Sequence, residues 1–218
     1  MALRLEPGVI IKGLSKQSRL EISGALSVLG APDNRITFTS INDQSFGDDR
    51  LNTASLGSGL PRPQDWAGVW FRPGGSGTIS HADFRYSGFD PYLCVAAAAS
   101  CGYYSRTIDL DTASLMVVDA TFTSGWMNIF YAENSTLSIS SSTLDGFPNP
   151  FSEYEPTIGV YAKRGVLTLD NVVLKNLYYG IESSSRADLW PAVAITNMTT
   201  GSFSNVLIPW SPAALLPL

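Results

Sequence analysis

Histidine, cysteine and charge are all scarce in this 218-residue chain. It has one His, two Cys, 14 Lys and Arg, and 19 Asp and Glu, so only 15% of its residues are charged. With a formal charge of -5 and no block of Lys and Arg interleaved with aromatics, the sequence offers no surface that would follow a phosphate backbone. The pair Lys163-Arg164 is too short to define a basic face, and nucleic acid is excluded as an expected partner. Long apolar runs are missing as well. Residues 95–100 are too few to span a bilayer, and 213–218 form a stub containing Pro217, so no transmembrane segment is expected. The opening Met1-Ala2-Leu3-Arg4-Leu5 has no positive region followed by an apolar core, hence no visible secretory signal. A domain cut from a longer chain would carry none in any case. One His and two Cys match no usual zinc spacing.

What is present is apolar residues at 44%, enough to exclude wholesale disorder, with Ser, Thr, Gly and Asn abundant around them. The apolar residues recur with a strand period. Leu115 and Val117, Leu137 and Ile139, Leu167 and Leu169, and Val193 and Ile195 each put two side chains on one strand face. Phe122, Leu144 and Leu174 follow seven positions after the first residue of the first three pairs, and Ile79 to Phe84 repeats the spacing of Val117 to Phe122. No i, i+3, i+4 pattern continues across these runs, so helix is disfavoured.

A second strand precedes most of these units, around Val69, Ile129, Val160 and Ile181. Val69 to Ile79 and Ile129 to Ile139 are each ten residues, and Val160 to Leu169 is nine. The second apolar position steps by 22 residues from Val117 to Ile139, by 30 to Leu169 and by 26 to Ile195. Near-constant distances inside a unit and variable ones between units describe a coil of stacked short strands. A β-sandwich would also show alternation and short turns, and it is the competing architecture.

Earlier in the chain, Leu5-Glu6-Pro7-Gly8-Val9-Ile10-Ile11-Lys12, Leu26-Ser27-Val28-Leu29-Gly30, Arg35-Ile36-Thr37-Phe38-Thr39-Ser40 and Asp65-Trp66-Ala67-Gly68-Val69 continue the pattern. These stretches resemble the right-handed parallel β-helix, or pectin-lyase-like, superfamily, and in particular β-helix domains of bacterial and archaeal exported or cell-surface proteins. The resemblance covers the first 70 residues most specifically and extends loosely to Asn205. It implies an all-β fold whose chain winds through three parallel sheets, and an extracellular or cell-surface setting. It decides no chemistry, since relatives include polysaccharide-cleaving enzymes, adhesins and architectural modules. One domain over 1–218 is expected: first coils or an N-terminal cap in 1–40, a projecting loop in 42–65, repeated coils in 66–205 and an exit segment in 206–218. Neighbouring domains of a larger chain are expected to cover the ends of such a stack.

Candidate sites are fewer than candidate strands. Asp43, Asp48 and Asp49 in the polar loop bring several oxygens toward what is either a calcium site or a solvated acidic turn, and the loop lacks the ligand pattern of an EF-hand. No cofactor is required by any motif. Trp126, Tyr131, Tyr154, Tyr161, Tyr179 and Trp190 fall in successive units and, if outward, would form a stacking track for sugar rings; facing inward they would fill the core. Cys94 and Cys101 are either a disulfide closing a small loop or two buried thiols. Asn134-Ser135-Thr136 and Asn197-Met198-Thr199 match a glycosylation acceptor, a pattern that polar turns also produce by chance.

Catalysis has weaker support. Asp109 and Asp111 alternate on one strand face near Arg106, and Asp83, Asp119 and Asp145 recur along the stack. The Asp motifs of inverting pectin hydrolases, with their downstream His and Arg-x-Lys, are absent, and so is a calcium-Asp-Arg set for lyase action. His81 reads as a surface or turn residue with no evident partner. The sequence therefore points to a non-catalytic scaffold or adhesive module meeting a polysaccharide or surface protein, with a polysaccharide lyase or glycoside hydrolase as the alternative.

Overall fold

The computed structural model describes residues 1–47, 60–89, 105–123, 125, 128–146, 157–183, 194–199 and 202–212. These contain no helix. The strands are β1 (Ala2–Leu5), β2 (Ile10–Gly13), β3 (Arg19–Ile22), β4 (Ala25–Leu29), β5 (Ile36–Ser40), β6 (Gly68–Phe71), β7 (Ser76–Arg85) and β8 (Arg106–Asp111). They continue as β9 (Ser114–Thr123), β10 (Asn128–Ser140), β11 (Thr143–Asp145), β12 (Ile158–Asp170), β13 (Val173–Ser183), β14 (Ala194–Thr199) and β15 (Phe203–Pro212).

Every pairing between these strands is parallel, and together they form three ladders. The first runs from β1 through β4 and the starts of β7 and β9 to the ends of β10 and β12, then to β14. The second runs β2, β5, the ends of β7 and β9, β11, and the starts of β13 and β15. A third joins β3, β6, β8, the starts of β10 and β12, and the ends of β13 and β15. Successive strands thus visit ladders one, two and three in turn, which gives an all-β, solenoid-like stack.

Five long strands change ladder at a residue with positive φ, followed in β12 by a second, Gly165 (114°). His81 (49°) bends β7, Asp119 (48°) β9, Asn134 (54°) β10, Arg164 (60°) β12 and Asn176 (51°) β13. Asn and Asp tolerate this left-handed conformation better than most residues, which explains their recurrence at bends. Small residues follow the bend. Ser135 and Ser142 lie buried there, and each Oγ accepts the backbone N–H of the coil before it, from Ala113 at 3.0 Å and Ala120 at 3.1 Å. Each hydroxyl then donates to a nearby carbonyl, Ser135 to Glu133 and Ser142 to Ser140, both at 2.7 Å. A hydroxyl one rung on thereby satisfies an amide that the corner would leave orphaned.

Between the ladders sits one core of like over like. Phe38 and Phe84 stack at 4.4 Å, Phe84 and Phe122 at 4.7 Å, and Leu144 and Leu174 continue the column. Val28, Ile79, Val117, Ile139 and Leu169 form a second column, all buried. Gly77 interrupts a column of leucines because the ring of Phe71 fills its place; a Cβ there would lie 2.7 Å from that ring.

Two expected registers differ, and one rung is additional. Phe130, not Ile129, pairs with Val160, a one-residue slip between two adjacent buried apolar side chains. Ile195 pairs with Leu167 rather than Leu169, and a further register shift after Thr168 sets Leu169 opposite Met198. β8 is a full rung of the third ladder with Ile108 and Leu110 buried, whereas the repeat reading passes over it. Residues 206–212, the start of the expected exit segment that closes or leaves the stack, lie within β15 and pair with β13.

The corner serines give a direct test. Ser142→Ala removes the acceptor for a buried amide and is expected to cost about 1–3 kcal/mol in urea unfolding. Ser138→Ala, outward on the same ladder, is expected to change stability by less than about 0.5 kcal/mol. Equal effects would remove the corner hydroxyls from the account.

Candidate functional site

The outward residues of the third ladder form the most chemically varied surface. In register along it lie Glu21, Trp70, Asp109, Tyr131, Tyr161 and Glu182. Strand alternation places them opposite the core residues Val69, Ile108, Phe130, Val160 and Ile181. Parallel pairing then brings planar groups into stacks. Arg19 and Arg72 lie over Trp70, each 4.9 Å from its centroid, and both bind Glu21, at 2.6 and 3.0 Å. Trp70 is only 3% exposed, so it serves as a packed layer.

Arg106 lies 4.0 Å over the ring of Tyr131 and binds Asp109 at 2.7 Å. Tyr131 and Tyr161 stack at 5.2 Å with planes 6° apart. Arg106 comes from the rung before Tyr131 and Tyr161 from the rung after, so both faces of the Tyr131 ring are occupied. Tyr131 donates its hydroxyl to Glu133, which also binds Lys163 at 3.0 Å and Arg164 at 2.7 Å. Tyr178 and Tyr179 meet edge to face at 4.7 Å, and Tyr179 sits in register with Ile158.

Environment separates the carboxylates. Burial holds the Asp109 carboxyl above its ordinary pKa, with Arg106 only partly offsetting it. Burial alone raises Glu182. Glu133 is opposed by burial but held below its ordinary value by Lys163, Arg164 and Tyr131. Burial likewise raises the Tyr131 hydroxyl, and Glu133 adds to the effect. Asp109 and Glu182 are three rungs apart, roughly 14 Å at the strand spacing, beyond the roughly 5–9.5 Å of a glycosidase pair. Asp111 and Glu133 do occupy adjacent rungs, but the cations around Glu133 keep it ionised and unsuited to act as an acid.

Two further clusters are structural in geometry. Asp43 is 1% exposed, and its carboxylate accepts from the Thr39 hydroxyl at 2.7 Å and the Ser45 amide at 3.1 Å, with Arg85 at 3.5 Å. Burial opposes its charge, yet these donors hold its pKa low. Asp65 accepts from Ser40, Asn42 and the Arg62 amide, which closes the base of the 42–65 excursion. Instead of projecting at once, residues 41–47 return over the second ladder, burying Thr39 and placing Phe46 against Arg85. At the corner between ladders one and two, Arg35 binds Asp83 and Asp119 at 3.0 Å each and donates to the carbonyls of Ala82 and Asp119. His81, expected to be without a partner, meets Asp119 through Nδ1 at 2.8 Å. The two residues are 38 positions apart in sequence but sit at equivalent bends of successive coils, so only the register reveals the contact. Burial opposes ionisation of Asp119, and the hydrogen bonds from Arg35 and His81 still lower its pKa.

Of the proposed sugar track, Tyr131 and Tyr161 come together, and Tyr179 lies off their column, three residues before Glu182 and opposite Ile158. Trp126, Tyr154, Trp190, Asp48, Asp49, Cys94 and Cys101 lie outside the described residues. Asp145 joins Lys175 and Asn176 rather than Asp83 and Asp119. Glu182 carried no sequence signal, since a lone carboxylate in a strand belongs to no motif. Among the described residues no three His, Cys, Asp or Glu side chains gather as a metal site, and no helix is long and apolar enough to cross a membrane. No family model, curated protein or solved structure matches the chain.

The lowered carboxylates have a signed consequence. A group whose folded pKa lies below its unfolded one stabilises the fold above the unfolded value, near 4, and loses that contribution as pH falls further. Asp43, Asp119, Glu133 and Glu21 all act in this sense. The urea midpoint is therefore expected to fall steeply between about pH 4 and pH 2, and Asp43→Asn to flatten part of that fall. A midpoint independent of pH over this range would contradict the assigned partners.

Proposed function

We propose that this chain is a right-handed parallel β-helix acting as a non-catalytic scaffold in an exported or cell-surface protein, where it holds loops against a glycan or protein partner. The hand follows from the general rule that strand–crossover–parallel strand connections are right-handed in about 98% of cases. One observation carries the reading: the three longest excursions leave from the same corner, between ladders two and three, while 184–193 joins ladder three to ladder one. The three run over 41–67 after β5, 86–105 after β7 and 146–157 after β11. At the corner between ladders one and two, the coils from β7 to β13 turn on one or two residues. In repeat folds, insertions grouped on one side mark the surface that meets a partner.

The composition of the third ladder's outer face agrees with this role. Its arginines and lysines are engaged with Asp109, Glu133 and Glu21, which stiffens the surface that borders the loops. Asp111 beside Glu133 favours the rival reading, a glycoside hydrolase or lyase, because adjacent rungs set two carboxylates close together.

Replacing 147–156 by a short Gly-Ser linker tests the scaffold reading, because the ladders on either side pair without it. The expected result is a thermal midpoint within a few degrees of the parent and at least a tenfold loss of retention on the bound glycan or protein surface. Incubation with neutral and acidic polysaccharides is expected to release no new reducing ends and no unsaturated uronate. Either product, lost on Glu133→Gln, would establish the enzyme reading instead.

A further inference from the structure

On the outer face of the second ladder, the first rungs form the floor of a cleft. Ile10, Thr37 and Asp83 follow one another in register there, and strand alternation turns them away from the core residues Ile11, Phe38 and Phe84. The turn 32–35 and Phe46, carried back by residues 41–47, wall in an open volume of about 360 Å³, within the range of small-molecule sites. Both walls are fastened. The turn closes on two backbone bonds between Ala31 and Asn34, 3.1 Å each, and the Asn34 carbonyl also accepts the Gly8 amide at 3.2 Å. The Asn34 carboxamide lies over Gly8, where a Cβ would come within 2.6 Å of its Oδ1. Arg85 lies 5.1 Å over the Phe46 ring.

Uncharged polar groups in this cleft lack partners. Thr37 is only 3% exposed although it points outward, and among the described residues no hydrogen bond engages its hydroxyl. Buried hydroxyls are ordinarily bonded, so this one calls for an explanation. Among the described residues the Asn34 carboxamide makes no hydrogen bond either, and Asp83 gives Oδ1 to Arg35 at 3.0 Å while Oδ2 takes no donor. The cations are the opposite case. Arg35 is divided between Asp83, Asp119 and the carbonyls of Ala82 and Asp119. Arg85 lies 3.5 Å from Asp43, and Lys12 donates to the Asp43 carbonyl.

We propose that this cleft binds one neutral sugar unit of a glycan, an inference that rests on the scaffold reading and names its ligand class. A sugar hydroxyl both donates and accepts, and the unpartnered groups match it: Thr37 and Asn34 do both, and Asp83 accepts. A cationic side chain would use the acceptors alone and leave the donors of Asn34 and Thr37 unmet. A uronate would face Asp33 and Asp83 while Arg35 and Arg85 are already engaged. Phe46 and Ile10 offer apolar walls to the C–H groups of a pyranose ring.

The test is titration of the full chain with the methyl glycosides of glucose, galactose, mannose and xylose, with methyl galacturonoside and with argininamide, followed by amide chemical shifts and calorimetry. At least one neutral glycoside is expected to bind, and the galacturonoside and argininamide to bind roughly tenfold more weakly or worse. Thr37→Val removes only the unpartnered hydroxyl, so the expected result is a thermal midpoint no lower than the parent's and neutral binding weakened about fivefold. Asn34→Ala, at an exposed turn position, is expected to weaken neutral binding by about the same factor and keeps the test open if the first variant fails to fold. No binding by any neutral glycoside, preference for the galacturonoside, or neutral binding unchanged in either variant would each overturn the site. Preference for argininamide would also overturn it and assign the cleft to a basic peptide. None of these results would disturb the scaffold reading, which stands or falls on replacement of 147–156 and the absence of product.

Discussion

Parallel register is the constraint on which the molecule depends. When each strand lies in register over the corresponding strand of the previous coil, every side chain meets the residue at the same position one turn earlier. A phenylalanine then needs a phenylalanine or leucine above it, and a bend needs another bend. The Phe38, Phe84 and Phe122 stack and the recurrent positive-φ corners are consequences of that one rule. Register also converts sequence distance into contact, so that Arg35 reaches Asp119 and His81 meets Asp119 across whole coils. Because the backbone pairs continuously along the stack, irregularity is confined to the corners, where excursions cost the core little.

The same rule explains what the sequence could and could not disclose. Leu115, Leu137 and Leu167 were legible because each occupies a strand with clean alternation and equal internal spacing. Ile129 and Phe130 were not separable, since both are apolar and buried, and alternation alone does not choose between adjacent greasy residues. β8 escaped because Asp109 and Asp111 flank its inward Leu110 and invite a chemical rather than a structural reading. Asp109 in fact lies 5% exposed against Arg106. The shift after Thr168 was invisible because a bulge leaves no mark on apolar spacing beyond one extra residue.

Site residues were legible only in part, for a related reason. Tyr131 and Tyr161 could be named as a pair of aromatics in successive coils, but not that they stack on each other or that Tyr131 also lies against Arg106. Asp43 could be named as an oxygen-bearing loop residue, but its buried bonds to Thr39 and Ser45 show it fastening the loop to the stack.

The central claim, that successive coils stack rung upon rung, is tested most directly by distances along one outward column. Ser27, Thr78, Met116, Ser138 and Thr168 follow one another in register. Spin labels on cysteines at Ser27 and Ser138 should lie roughly 14 Å apart between backbone positions, and at Ser27 and Thr168 roughly 19 Å, a gain of one strand spacing. Equal separations, or a shorter distance for the second pair, would show the strands folded against one another rather than piled along an axis.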